Sequence, residues 1–480
     1  WLAAGVALWP WQRDIIDQVV SSGATLCGHA VGAGKTLSML GAVMTLREFG
    51  LASKPMVVVP NHLLEQIARE ARQAFPTGRF IIAGSDDLAG PARRLFASRC
   101  ATGDWDAVVI THSAFTRIPV SERTEREHAL AARTDLEDHL RSGPASSSYG
   151  SKEIARRLRA LDARIAEIRA QVGDEQTVVF DQLGVDFIAV DEAHLFKRLM
   201  VASRAEGFSF GSSKRATDLL VKMRWLERRA QGRPYAALFT GTPWTNTLAE
   251  TFIWQTFLQP DVLRAAGVDQ FDAWAAVFAK RETKVEVAPD GSGFRVASRP
   301  SALVNVAELR TMFAQNADIL PPGSIPLPRP AHESVTVTVK PSAAQREYVR
   351  SLVVRADKVR SGGGNSRVDN MLAICGDGRR VALDPALVGV FGASPKVDAV
   401  AAEVGRLYAE HRSDQLDGSD VRGVLQVVFC DQGTPGPSGP QTYGRLRSAI
   451  VKAGVPASAV VTGHEATTDK SRAALFAACR

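Results

Sequence analysis

The 480-residue sequence predicts an α/β protein of two parallel-sheet lobes, the second incomplete, with a helical hairpin inserted in the first. Three observations carry this. Short Val- and Ile-rich runs alternate with amphipathic stretches through the first 116 residues; the alternation resumes after a charged passage from 122 to 172; and a comparable pattern returns beyond a Pro-rich passage, Pro321 to Pro330. Strands separated by helices imply a parallel sheet covered on both faces, because each parallel return needs a crossover.

Taken in order, Ala24 to Cys27 reads as a strand followed by a helix after Lys35. Pro55 to Val59 reads as a strand followed by a helix from Leu63, and Ala107 to Ile110 as a third strand. From Glu122 to Val172, Arg, Glu and Ala at helical spacing are interrupted by GPASSSYG, Gly143 to Gly150, which predicts two charged helices joined by a turn. Such an arm could touch nucleic acid, though a solvated structural arm is the commoner reading of its charge. Phe187 to Val190 and Tyr235 to Phe239 read as further buried strands. The first lobe is therefore expected over 1–243, a helical protrusion and linker over 244–330, and the second lobe over 331–480. In that second lobe Ser334 to Val339, Val424 to Phe429 and a run ending at Val461 are expected strands, with a helix from Ser342.

Composition narrows the class. With 45% hydrophobic, 23% charged and 7% aromatic residues, the chain is neither disordered nor fibrous. Five cysteines lie far apart, with no CxxC pair, which fits a reducing cytoplasm and argues against structural zinc. No apolar run approaches the roughly 18 residues of a membrane span, and no secretion signal opens the chain. Trp1 in place of Met, and an end at Arg480 within a helical pattern, lead us to expect a fragment with neighbouring domains. Lys plus Arg exceed Asp plus Glu by 58 to 51, a formal charge of +7. That excess suits a polyanionic partner or simple solubility equally well, so the motifs must decide.

The run His29 to Thr36, HAVGAGKT, follows a strand and opens a helix, the context that gives a phosphate loop (P-loop) its meaning. Gly32, Ala33 and Gly34 would let backbone amides face phosphate oxygens at the helix N-terminus. Lys35 would hold the β and γ phosphates of ATP, and the Thr36 hydroxyl would ligate Mg²⁺. His29 stands where the usual pattern has Gly. Asp191 to His194, DEAH, lies at the C-terminal end of the Phe187 strand, where ligands of open parallel sheets gather. Asp191 would bind Mg²⁺ and Glu192 would polarise the attacking water. His194 would pass the nucleotide state to Thr240 and Thr242 of TGTP, directly after the next strand. Gln12 is placed to read adenine, because an amide donates and accepts at once. Pro60 and Asn61 after one strand, and His112 and Ser113 after another, sit on strand-end loops that could grip nucleic-acid phosphates; taken singly, each is better read as a helix N-cap.

The ordered set Gln12, HAVGAGKT, PNHLLEQ, THSAF, DEAH and TGTP resembles superfamily 2 helicases over nearly the whole chain. Within that group TGTPWTNTLAE at 240–250 and Lys197 after DEAH are similar to the Swi/Snf-type double-stranded DNA translocases, with Arg198 where those enzymes usually carry Asn. The resemblance implies two RecA-like lobes, ATP and Mg²⁺ as ligands, and Lys197 and Asn246 as further nucleic-acid candidates. It implies an ATP-driven motor on duplex DNA. HAVGAGKT, MVVVPNHLLEQ, ATGDWDAVVITHS, LGVDFIAVDEAH, the insertion at 122–172 and VVFCDQGTP resemble, more narrowly, phage- and plasmid-borne proteins that fuse an adenine DNA methyltransferase to a helicase. That implies a covalently linked methyltransferase upstream, and a role in DNA methylation or in restriction and anti-restriction. The family's γ-phosphate arginines belong to motifs not found in these 480 residues, so weak hydrolysis is expected of this stretch alone. An RNA helicase, or a nucleic-acid-binding scaffold that does not hydrolyse ATP, remains the alternative; a phosphate-loop kinase or GTPase is disfavoured by DEAH followed by TGTP.

Overall fold

The computed structural model describes residues 2–84, 86–88, 90–142, 148–170, 178–203, 213–287, 294–327, 330–361, 369–415, 422–435, 442–466 and 468–479. The chain divides into two compact units, one of residues 1–284 with 298–329 and one of 285–297 with 330–480.

The first unit is built on a seven-stranded sheet. Its strands are β1 (Ala24–His29), β2 (Pro55–Val59), β3 (Phe80–Ala83), β4 (Ala107–Thr111), β5 (Phe187–Val190), β6 (Ala236–Phe239) and, beyond two hairpin strands described below, β9 (Ala317–Leu320). They lie in the order β3-β4-β2-β5-β6-β1-β9, and every pairing is parallel. The central strands are apolar at every position because both faces are covered. In β2, Met56 and Val58 point into one core, and Val57 and Val59 into the opposite one. In β5, Ile188 and Val190 divide from Phe187 and Ala189 in the same way. Each such side chain stabilises the fold by roughly 1.5–3 kcal/mol when fully buried.

Helices α1 (Pro10–Ser21), α2 (Lys35–Glu48) and α3 (Leu64–Ala74) cover one face, burying Ile15, Val19, Met39, Val43, Leu46 and Ile67. On the other side lie α4 (Gly90–Thr102) and α5 (His112–Arg117), which bury Phe96 and Phe115. Next come α6 (Glu122–Ser142) and α7 (Ser148–Ala170), tied to each other by Arg133 with Asp162 and Arg164 with Glu125. Ser148 to Gly150, expected in the turn, belong to α7 instead; the rest of that turn, 143–147, lies outside the described residues. Helices α8 (Lys214–Ala230) and α9 (Ala249–Leu258) complete this face with Leu219, Met223, Trp254 and Phe257. Helix α8 ends on Gln231 with φ 50°. Helices α10 (Pro260–Ala265) and α11 (Phe271–Phe278) build a smaller aromatic cluster around Trp274. Strands β7 (Ala279–Val287) and β8 (Phe294–Leu303) form a two-stranded sheet, and α12 (Val306–Ala314) follows Asn305, whose φ is 50°.

Two expectations are corrected. The stretch 244–330 is not only protrusion and linker: α9 packs into the main core, and Ala317–Leu320 joins the sheet beside β1. Four residues that include Asp318 are too few to show an alternation, so pairing decides what pattern could not. Among the described residues of the second unit, the expected parallel sheet is not formed. Ser334 to Val339 and Val424 to Phe429 are described but make no strand, and Val335, Val337, Val427 and Phe429 stand 73%, 60%, 62% and 90% exposed. The run ending at Val461 carries a short 3-10 turn, Ala457–Ala459, instead. β-propensity stabilises a strand through side-chain pairs with a neighbouring strand, and among the described residues these segments pair with none.

Beyond Pro330 the described elements of the second unit are helices. Helix α13 (Ala343–Arg360) starts on a capping box between Ser342 and Gln345 and packs on α14 (Met371–Leu383) through Leu352, Ala356 and Ile374. Helices α15 (Pro395–His411) and α16 (Thr442–Lys452) meet at Ala401 and Ile450. Fully buried Asp384 accepts from Thr442 Oγ1 at 3.0 Å and Arg445 Nη1 at 2.7 Å. Helix α17 (Asp469–Ala478) ends the described chain, and among the described residues no helix is long and apolar enough to cross a membrane.

Candidate active site

The phosphate-loop candidate runs from the end of β1 into α2. Gly32 and Gly34 have φ of 89° and 77°, where a β-carbon is strained. Gly34 has a second constraint, since a methyl group there would lie 2.4 Å from Gln12 Nε2. Helix α1 braces the loop. Trp11 Nε1 donates to Ala33 O at 3.0 Å, Gln12 Nε2 donates to Gly34 O at 3.1 Å, and Gln12 Oε1 accepts the Trp9 amide at 2.8 Å. Gln12 is 2% exposed, and its side-chain oxygen and nitrogen are both bonded to backbone, of Trp9 and of the loop. Trp11 was missed by sequence reasoning, although its position beside Gln12 was visible. Lys35 Nζ donates to His29 O and Ala30 O at 3.0 and 3.1 Å, and half-buried Thr36 follows in the first turn of α2.

Asp191 and Glu192 leave the end of β5. The Asp191 amide donates to Val58 O, and Asp191 Oδ1 accepts the Glu192 amide at 2.9 Å. Burial pushes the Asp191 carboxyl up to about 6, while the nearby Lys35 charge pulls the other way. Glu192 adopts φ 47°, a left-handed conformation costly for a residue with a β-carbon. Its carboxyl is held below the usual range, first by the hydrogen bond from His194 and in part by Lys35. His194 Nδ1 lies 3.1 Å from both Glu192 Oε2 and Thr240 Oγ1, and Thr240 Oγ1 accepts the Thr242 amide at 3.1 Å. A continuous polar chain thus joins Glu192 to the TGTP turn. In the sheet β5, β6 and β1 are parallel neighbours, so DEAH, TGTP and HAVGAGKT emerge side by side at one edge. A methyl group on Gly241 would lie 3.4 Å from Lys35 Nζ.

The nucleic-acid candidates divide. Asn61 and Ser113, from the ends of neighbouring β2 and β4, meet through Ser113 Oγ donating to Asn61 Oδ1 at 3.1 Å, and Asn61 is exposed. Thr111 caps α5 through the Ala114 amide. Pro60 is buried, and Asn246 is exposed with Nδ2 on Thr245 Oγ1 at 3.0 Å. His112 is corrected: 4% exposed, it donates Nε2–H to Asp191 O at 2.8 Å, and burial drives its imidazole down to about 4. It supports the acidic segment from beneath and does not face a ligand groove. Lys197 is corrected likewise. It is 6% exposed, with Nζ on Glu250 Oε2 at 3.0 Å and Thr245 Oγ1 at 2.6 Å. An ammonium held this way fastens DEAH to the segment after TGTP and is closed to a phosphate. Arg198, its neighbour, is exposed.

Comparison with known proteins gives three findings. A family model described as a probable helicase domain matches residues 18–320. The Defense against restriction protein B of Escherichia phage P1 is 23% identical over 334 residues, which cover 59% of this chain and 14% of the phage protein. The solved Sulfolobus solfataricus SWI2/SNF2 ATPase core in complex with dsDNA is similar at 14% identity with a TM-score of 0.35, covering 84% of this chain and 65% of that one. The chain therefore spans less than two thirds of each of these two relatives.

Proposed function

The chain belongs to the probable helicase domain family, and from that premise we propose that it is an ATP-dependent motor that moves on or remodels duplex DNA. The observation that carries the reading is the emergence of Lys35, Asp191, Glu192 and Thr240 from adjacent parallel strands at one sheet edge, with the Lys35 charge acting on both carboxylates. ATP would be cradled by the amides of Gly32 to Lys35, with Lys35 exchanging its two carbonyl partners for phosphate oxygens. Thr36 and Asp191 would hold Mg²⁺, whose chemistry is to neutralise phosphate charge. The donor set fits: burial disfavours the charge on the Asp191 carboxylate, and a bound cation would stabilise that charge. Glu192, ionised at neutral pH, would accept the proton of the attacking water. His194 and Thr240 would carry the change toward TGTP.

Duplex DNA is proposed as the partner on the basis of the sequence resemblance and the +7 charge, gripped by phosphate contacts near Asn61 and Ser113. We place the motor, as the same resemblance implies, in a larger protein of DNA methylation or anti-restriction with a linked methyltransferase, acting in the cytoplasm. The test is ATP binding and DNA-stimulated hydrolysis. Lys35→Ala should abolish binding, and Glu192→Gln should preserve binding while lowering turnover by about 10²–10⁴. Retained turnover in either variant discards the site. Stimulation by RNA and not by duplex DNA replaces the substrate, and a wild-type protein that binds no ATP is a scaffold.

A further inference from the structure

His29 occupies the position where phosphate loops usually have glycine, and nothing above assigns it a task. It is fully buried. Its Nε2 lies 2.7 Å from Asp318 Oδ2 in the edge strand β9, and since a carboxylate only accepts, Nε2 carries the proton. Among the described residues Nδ1 has no hydrogen-bond partner, so the ring is held by Asp318 on one side alone. The next residue repeats the attachment, as the Ala30 amide donates to Leu320 O at 2.8 Å. The carbonyls of these same two residues, His29 and Ala30, are the ones that hold Lys35 Nζ.

The loop and β9 also fit without slack. A methyl group on Gly28 would lie 2.4 Å from Ile319 Cδ1, and one on Gly32 would lie 3.5 Å from Leu327 Cδ1. The strand and the segment Pro321–Leu327 therefore touch the chain just before the phosphate loop and at its middle. When Lys35 turns to phosphate it gives up two carbonyls whose own residues are bonded to β9. Packed elements shift between discrete arrangements and do not deform continuously, so a change at those residues is passed on.

We propose that His29 and Asp318 are a positioning pair that carries the state of the phosphate loop into β9 and the segment that follows. This rests on reading HAVGAGKT as the nucleotide site. The test is hydrogen exchange of peptides covering 317–327 in the 480-residue chain, with and without AMP-PNP and Mg²⁺, beside a direct measurement of nucleotide binding. In the unmodified protein, nucleotide should change the exchange rate of these peptides by roughly 5-fold or more, the lower end of typical site-to-site coupling. Asp318→Ala, which frees His29 from β9 without changing the loop, should still bind nucleotide but lose that response, whereas Asp318→Asn, which keeps an acceptor for His29, should retain most of it. Unmodified protein that binds nucleotide without any change at 317–327 overturns the pair's role and leaves the proposed function standing. So does Asp318→Ala responding as the unmodified protein does, or folding but failing to bind, since the pair would then only shape the loop. Absence of nucleotide binding by the unmodified protein overturns the proposed function itself, and this inference with it.

Discussion

Replacing Asp191 by Asn should make the nucleotide-free protein more stable while removing its activity. The carboxyl titrates at about 6 in the fold against an ordinary 3.8, and each pH unit of difference corresponds to 1.36 kcal/mol. Above pH 6 the buried charge therefore costs about 3 kcal/mol, to order of magnitude. The sign follows from proton binding. Between 3.8 and 6 the folded state holds more protons than the unfolded, so stability falls as pH rises through that window; the penalty is absent below it and complete above it. Asn keeps an oxygen to accept the Glu192 amide, so the substitution removes the charge with little else. All eight tryptophans lie within residues 1–284, which lets their fluorescence follow urea unfolding of the first unit alone. Asp191→Asn should gain about 3 kcal/mol at pH 8 and roughly half of that at pH 5. No gain at pH 8, or an equal gain at both pH values, would refute the idea that Asp191 is held against its own burial.

Three further outcomes follow from the geometry. Lys197→Met should destabilise the first unit by about 3–5 kcal/mol by stranding Glu250, with most of the loss recovered in the double variant with Glu250→Gln; the salt dependence of DNA binding should stay unchanged, where loss of a phosphate contact would reduce its slope by about 0.9. Asn61→Ala together with Ser113→Ala should weaken DNA binding similarly for all sequences and leave ATP binding intact, as measured by fluorescence anisotropy on unrelated duplexes. His194→Ala removes the hydrogen bond that holds the Glu192 carboxyl down, so the acid limb of the kcat profile should move to higher pH; an unmoved limb would separate Glu192 from the proton transfer.

The parts of this molecule that could be read from the sequence are those whose local chemistry has one solution. Val57 to Val59 and Phe187 to Val190 are apolar on both faces, and only an interior parallel strand uses such a run. A glycine-punctuated loop between strand and helix is equally restrictive. By contrast, β9 is a strand only because β1 lies beside it, while Ser334 to Val339 has better strand chemistry and makes no strand. The same holds at the site. The spacing of DEAH placed Lys197 at a surface by analogy, but its burial depends on Glu250, 53 residues away. Asp318, 289 residues from His29, left no mark in the sequence that could have announced the pair.

Among the described residues, three other than glycine sit at left-handed backbone angles: Glu192, Gln231 and Asn305. An engineer seeking a hardier protein would change all three to glycine, recovering about 1 kcal/mol or more at each. At Gln231, which ends a helix, the exchange should be harmless, whereas at Asn305 it would also remove the hydrogen bond that Nδ2 donates to Val277 O at 2.8 Å. At Glu192 the same repair would delete the carboxylate that the turn exists to present, so this strained peptide unit is one that thermostabilisation must leave alone.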